Sequence, residues 1–205
     1  RAFLLRSVLV PPWSIRVQDE APLALVAVVR GRAWVLPDKA EPVRIGKGDV
    51  VVLPGPDHYT VADQPATPPQ ALIHPDQSCT SLDGGELDWQ VGTGIRTWGN
   101  ASDGVTEATL LVTGTYVGRG AVSQRLLAAL PPVVHVEYAG DDRTLIDVLA
   151  EEMGKDQLGQ QAVLDRLLDL LLVSTLRAWF DRPDAMPPGW YRAQSDPVVG
   201  RVLML

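Results

Sequence analysis

Three histidines and one cysteine are the side chains in this 205-residue chain best suited to holding a metal. His58, His74 and Cys79 lie in the N-terminal half, and His135 lies further on. Imidazole nitrogen and thiolate sulfur suit zinc, but zinc sites are usually built from ligands paired a few residues apart. None of these residues has a partner at such spacing. His58, His74 and Cys79 are therefore metal candidates only in combination with carboxylates. No cofactor is expected, with zinc as the one alternative. His135 follows Pro131-Pro132 and is expected to pack against a neighbouring segment.

A lone thiol senses oxidants when a nearby cation or helix N-terminus stabilises its thiolate. The surrounding Asp76-Gln77-Ser78-Cys79-Thr80 supplies no positive charge, so Cys79 reads as a small, polarizable structural residue. Indoles suggest a different chemistry. Trp13, Trp34 and Trp98 fall on strands or at strand ends, where a ring can wall a pocket for an apolar ligand or fill the core. Arg16 and Arg96 are placed to meet an anion, although arginine on a strand usually points to solvent. The expected ligand-binding set is Trp13, Trp34, His58, Trp98 and Arg96.

Two textures position these residues. From Ala2 to about Tyr116, short apolar runs are broken by Gly, Pro and Asp. Ala24 to Val29, then Gly31, then Ala33 to Leu36 reads as a hairpin. Ile45, the turn Gly46-Lys47-Gly48-Asp49, and Val50 to Leu53 stopped by Pro54-Gly55-Pro56 make a second turn-and-strand unit. Thr109 to Val112 is a later strand. After Gly120 the period becomes helical. A short helix is expected over Gln124 to Leu130. Another begins near Thr144 with Leu145, Val148, Leu149 and Met153 on its apolar side, and Gly159 ends it. A long one follows from Gln160 to about Asp181. Its stripe of Val163, Leu164, Leu167, Leu168, Leu171, Leu172, Leu176 and Trp179 must be covered, by the chain itself or by a second copy.

The net charge of -7 and pI near 4.9 disfavour a direct grip on phosphate backbones. A single cysteine fits a reducing cytoplasm. Neither a signal peptide nor a bilayer-spanning apolar run stands out. The chain opens on Arg1 and closes inside an apparent helix, Arg201-Val202-Leu203-Met204-Leu205, which reads as a fragment.

The stretch Gly31-Arg32-Ala33-Trp34-Val35, with Ile45-Gly46-Lys47-Gly48-Asp49-Val50-Val51-Val52-Leu53-Pro54-Gly55-Pro56-Asp57-His58, closely resembles the second half of a cupin barrel. Gly94-Ile95-Arg96-Thr97-Trp98-Gly99, Leu130-Pro131-Pro132-Val133-Val134-His135 and the run from Gln160 to Leu172 look like sensor domains of cupin-bearing AraC-type bacterial regulators. Gly189-Trp190-Tyr191-Arg192-Ala193 and Asp196-Pro197-Val198-Val199-Gly200-Arg201 are similar to that family's link into its first DNA-binding helix.

The resemblance implies an α+β chain with three parts. Residues 1–120 would be a cupin, jelly-roll-like β-barrel sensor, and residues 121–182 a helical dimerisation region. Residues 183–205 would be a linker and the start of the missing DNA-binding domain. A small effector would bind in the barrel. A homodimer would form through Leu164, Leu168, Leu171 and Leu172, and DNA would be read only by helix-turn-helix motifs outside this chain. No membrane partner is implied.

Cupin enzymes hold a metal with two close histidines and a glutamate, plus a histidine in a second motif. Trp13 to Leu25 contains no histidine, and His58 alone cannot make a catalytic metal site. Some of these sensors carry cysteines near the first strand and before a later glycine, where this chain has Leu5 and Thr113. The reading is therefore a non-enzymatic cytoplasmic regulator. The alternatives are a metal-dependent cupin enzyme and a stand-alone interaction module.

Overall fold

The structure, a computed structural model, describes residues 2–87, 89–91, 97–102, 104–116, 124–138, 144–185 and 189. Its strands are β1 (Ala2–Leu9), β2 (Ser14–Val17), β3 (Leu23–Arg30), β4 (Arg32–Pro37), β5 (Val43–Gly46), β6 (Asp49–Pro54) and β7 (Tyr59–Ala62). Then come β8 (Ala71–Ile73), β9 (Cys79–Ser81), β10 (Gln90–Val91), β11 (Thr97–Gly99), β12 (Thr109–Tyr116) and β13 (Val134–Glu137). The helices are α1 (Gln124–Leu127), α2 (Thr144–Met153) and α3 (Gln160–Phe180). No helix among the described residues is long and apolar enough to cross a membrane.

Three layers result. A seven-stranded sheet in the order β10-β11-β1-β12-β3-β6-β13 faces a six-stranded sheet, β5-β4-β7-β2-β8-β9. Helices α2 and α3 cover the other face of the larger sheet. That central sheet is apolar on both sides, which explains why β3 (LALVAVVR) and β6 (DVVVLP) are almost unbroken apolar runs. Along β3, Leu23, Leu25 and Ala27 join the helix-side core, whereas Ala24, Val26 and Val28 join the core between the sheets. Both phases of the strand are buried.

The expected closed barrel does not form. The described strands hydrogen-bond into two separate sheets, and each sheet keeps two edges. Side chains hold the sheets together, among them Trp13, Ile15, Val35, Ile45, Val51 and Leu111. The turns explain the difference. β3 and β4 do not pair as a hairpin; β3 pairs with β12 and β6, while β4 pairs with β5 and β7. The chain crosses from one sheet to the other through Gly31, whose φ is +85°. A side chain there would place its Cβ 2.7 Å from Thr109 Oγ1. Glycine is required on both counts. The Gly46-Lys47-Gly48 turn likewise passes from β5 in the smaller sheet to β6 in the larger.

A second departure lies in the segment expected to be only helical. Val134–Glu137 forms β13, antiparallel to β6 with Val134 opposite Val52 and Val136 opposite Val50. Two valines at a spacing of two, directly after a proline pair, favour an edge strand. His135 takes the other phase, on the side of the sheet that carries Val51, 3.3 Å from Asp49 Oδ2, and Arg182 Nη2 donates to the His135 carbonyl at 2.6 Å.

Helix α2 buries Ile146, Leu149, Ala150 and Met153, while Val148, expected on its apolar side, is exposed. On α3, Leu164, Leu168, Leu171 and Leu172 are all buried in the chain's own core. The face expected to seat a second copy is therefore occupied by the sheet and α2. Val163, Leu170 and Val173 are the large apolar residues α3 leaves exposed.

Leu168 meets the sheet at Gly114 of β12, where an added Cβ would lie 2.5 Å from Leu168 Cδ1. Gly114→Ala should therefore overpack this contact and cost about 1–3 kcal/mol. Leu168→Ala should cost about 2–5 kcal/mol through the cavity it leaves. Urea unfolding of the double variant should show a loss smaller than the sum, because the shortened side chain at position 168 makes room for the new methyl. An additive loss would place the two residues out of contact.

Candidate functional site

An apolar pocket opens between the two sheets. Inward positions of the larger sheet supply Phe3, Leu5 and Ser7 of β1 and Leu111, Thr113 and Thr115 of β12, together with Trp98 of β11. The smaller sheet supplies Ile15 and Val17 of β2, Tyr59 and Val61 of β7, and Ile73 of β8. Every contribution from β1, β2, β7 and β12 follows the two-residue period of a strand. The free volume is about 30 Å³, room for one water.

Polar groups gather at its end. Asp19, just past β2, accepts the Ala21 N–H through Oδ1 at 3.2 Å, but its buried Oδ2 has no hydrogen-bond partner. Burial pushes the Asp19 carboxyl up from the ordinary range, an effect partly offset by the Ala21 N–H and the approach of Gln77. Tyr59 is buried, its hydroxyl is unpartnered, and burial together with nearby Asp19 drives its pKa well above the usual value. Gln77 reaches in from the turn between β8 and β9. Its Oε1 lies 3.5 Å from Thr115 Oγ1, and its buried Nε2 has no hydrogen-bond partner. On the wall, Trp98 donates Nε1–H to Ser7 Oγ at 2.8 Å and packs against Trp89 with ring centroids 4.8 Å apart.

The expected ligand-binding residues are dispersed. Trp98 lines this pocket. Trp13 is fully buried in the core between the sheets and is not among the pocket's lining residues. Trp34 alternates with buried Ala33 and Val35, so it faces outward, onto a groove bordered by Arg32, Arg44 and Glu107. His58 lines a different cavity of about 360 Å³ where the sheets meet α1, beside Lys39 and Asp57. That cavity is larger, but its charges already pair with each other, Lys39 Nζ to Asp57 Oδ1 at 2.6 Å. Arg96 lies outside the described residues. Arg16, the other anion candidate, forms a bidentate pair with Asp38 at 2.6 and 2.5 Å, which holds the Asp38 carboxyl low.

The metal candidates do not converge. His74 Nε2 shares a hydrogen bond of 2.8 Å with Thr80 Oγ1, and Cys79 sits in β9 at the sheet edge. Among the described residues, no three His, Cys, Asp or Glu side chains cluster as a metal would need. Burial pushes the Cys79 thiol up to about 11, away from redox reactivity. Leu5 and Thr113 are direct register partners on β1 and β12 and line the pocket.

Asp19, Tyr59 and Gln77 were not legible as site residues. A partial signal exists in the inward phases of β1 and β12, where Ser7, Thr113 and Thr115 interrupt an otherwise apolar face. Asp19 and Gln77 sit in loops, whose reach depends on the tertiary fold.

A family profile described as Cupin matches residues 1–181. An AraC-like transcription regulator of Streptomyces lividans is 25% identical over 196 residues, covering 93% of this chain and 59% of the relative. A second, from Streptomyces antibioticus, is 26% identical over 197 residues with the same coverages. The chain thus spans about three-fifths of the length of the curated relatives it matches. Among solved structures, unsaturated fatty acid-bound ToxT of Vibrio cholerae is 8% identical, with a TM-score of 0.45 over 99% of this chain and 62% of ToxT.

Two outcomes follow from the site's acid–base state. Between the ordinary carboxyl pKa and the raised one, folded Asp19 keeps a proton that the unfolded chain has shed. Stability therefore falls as pH rises through that window. Asp19→Asn should raise the melting temperature at pH 7 and leave it unchanged at pH 3; a lower melting temperature at pH 7 would contradict the assignment. Cys79 should react with iodoacetamide at pH 8 roughly a hundredfold more slowly than free cysteine, from thiolate fractions alone. Alkylation as fast as that of free cysteine would show an activated thiol.

Proposed function

Because this chain belongs to the cupin family, we propose that it is the effector-binding and dimerising part of an AraC-type bacterial transcription regulator. The observation that carries this reading is the pocket between the sheets, apolar along its walls and closed by polar groups that lack partners. Ligand pockets are typically apolar with a few polar groups that fix orientation. The metal-dependent cupin alternative would need histidine ligands, and the residues lining this pocket include none.

The central sheet supports a route from ligand to partner. On β1 and β12 the inward residues line the pocket, while Leu4, Val112 and Tyr116 of the same strands pack against the helices. Tyr116 also donates to Asp169 Oδ1 of α3 at 3.1 Å. A pocket this narrow must widen to admit a ligand, so a bound ligand favours a different spacing of sheets and helix. Such a difference in affinity between two arrangements is what regulation requires.

The second copy is assigned to the outward face of α3. Val163, Leu170 and Val173 recur there at heptad spacing. An antiparallel pair centred on Leu170 brings Leu170 onto its twin and Val173 opposite the half-buried Leu167. The inward leucines 164, 168, 171 and 172 then support the interface from beneath. The regulator works in the bacterial cytoplasm and contacts DNA through helix-turn-helix motifs of the longer protein.

Light scattering on this chain should give a dimer. Leu170→Glu with Val173→Glu should give a folded monomer with unchanged circular dichroism. A monomeric parent chain would overturn the dimer. Chromatin immunoprecipitation of the full-length protein should enrich promoter DNA, and no enrichment would overturn the regulator.

A further inference from the structure

The unpartnered atoms at the pocket's end specify more than an apolar ligand. From their donor and acceptor pattern we infer that the pocket takes a small, mainly apolar, uncharged molecule ending in a hydroxyl, held by Asp19, Tyr59 and Gln77. This rests on the pocket being the effector site and adds the chemical class of its occupant.

Asp19 Oδ2, Tyr59 Oη and Gln77 Nε2 are all buried, and none has a hydrogen-bond partner. All three residues line the one cavity. Buried polar atoms of native proteins are almost always paired; the Gln77 amide approaches Asp19 without forming a well-aligned bond, so together with Tyr59 Oη these atoms make a polar end that a ligand group can complete. The amide nitrogen of Gln77 only donates. The Tyr59 hydroxyl donates, and an ionised Asp19 only accepts. A ligand hydroxyl has one hydrogen to give and two lone pairs to receive with. It donates to Asp19 Oδ2 and accepts from Gln77 Nε2 and Tyr59 Oη, so every orphan is completed.

Other head groups fit worse. An ammonium donates to Asp19 and to the Tyr59 oxygen but has no lone pair for Gln77 Nε2. A carboxylate sets a second negative charge against Asp19, and no cation is among the lining residues to neutralise it. A plain hydrocarbon leaves all three groups unpaired. The walls suit the rest of the molecule, with Phe3, Leu5, Ile15, Val17, Val61 and Trp98 around the body.

Backbone geometry sets how these side chains reach the pocket. Glu20, next to Asp19, has φ +53°, and Gln77 has φ +67°. These are the only non-glycine residues with positive φ among the described residues, and both flank the polar end. The turn in which Gln77 N–H bonds the His74 carbonyl at 2.9 Å is what carries the Gln77 side chain to the pocket.

Four probes on one aromatic frame test the inference with the 205-residue chain: benzyl alcohol, benzylamine, benzoate and toluene. The readout is the indole N–H resonance of Trp98 in a 15N-labelled sample, assigned with Trp98→Phe. Benzyl alcohol should shift this resonance saturably and bind at least tenfold more tightly than the other three. Gln77→Ala, on a surface turn, and Tyr59→Phe should each weaken benzyl alcohol several-fold and leave toluene unchanged. Asp19→Asn should reduce the discrimination against benzoate. Benzoate, benzylamine or toluene binding as tightly as the alcohol overturns the hydroxyl assignment, and so does a Trp98 resonance unmoved at the solubility limit of benzyl alcohol. Promoter enrichment by the full-length protein is read separately, so a wrong ligand class and a wrong regulator reading leave different signatures.

Discussion

The rest of the molecule depends on a sheet that is buried on both faces. The larger sheet carries one set of side chains into the space against the smaller sheet and the alternate set against α2 and α3. Neither face can be exposed without placing an apolar surface in water, at about 25 cal/mol for each Å². Both outer layers are therefore obligatory. The smaller sheet and the helical pair are two lids on one apolar slab, and the slab's strands are the physical link between what each lid does.

That arrangement separates tasks by strand phase. On β1, Phe3, Leu5 and Ser7 look into the pocket while Leu4 looks at the helices. On β12, Leu111, Thr113 and Thr115 line the pocket while Val112 and Tyr116 pack under α3. Gly114 lets α3 approach until Leu168 touches the strand backbone. A shift of either strand is thus felt on both faces, because packed interiors transmit displacement and do not absorb it. The narrowness of the pocket matters in the same way. With a free volume of about 30 Å³, it would take a larger occupant only if the spacing of these layers changed.

Much of this was readable from residue types. The helix limits were expected from Gly159, from Thr144 and from the leucine period. The start of α2 at Thr144 and both limits of α3 agree within a residue with those expectations, whereas α2 stops at Met153, short of the expected end at Gly159. The strand runs around Val26, Val35, Val51 and Leu111 were equally plain. Their partners were not. Pairing is a tertiary property, and Gly31 serves a crossing between sheets as well as it serves a hairpin. The four inward leucines of α3 illustrate the same limit. An apolar stripe states that it must be covered, without stating whether the sheet or a second copy covers it. Val134–Glu137 was too short to stand out beside its helical neighbours, and it became a strand because β6 offered an open edge. The site was the least legible part. Trp98 was a candidate by type and lines the pocket, whereas Asp19 and Gln77 enter it from loops, and Tyr59 is indistinguishable in sequence from any other strand tyrosine.

Native-state hydrogen exchange tests the shared slab most directly. If the central sheet and α3 form one cooperative unit, amides of β3, β12 and α3 should open with one free energy and one denaturant dependence. If α2 and α3 open at lower cost while β3 and β12 stay protected, the helices are an independent layer, and strand movement at the pocket has no route to them.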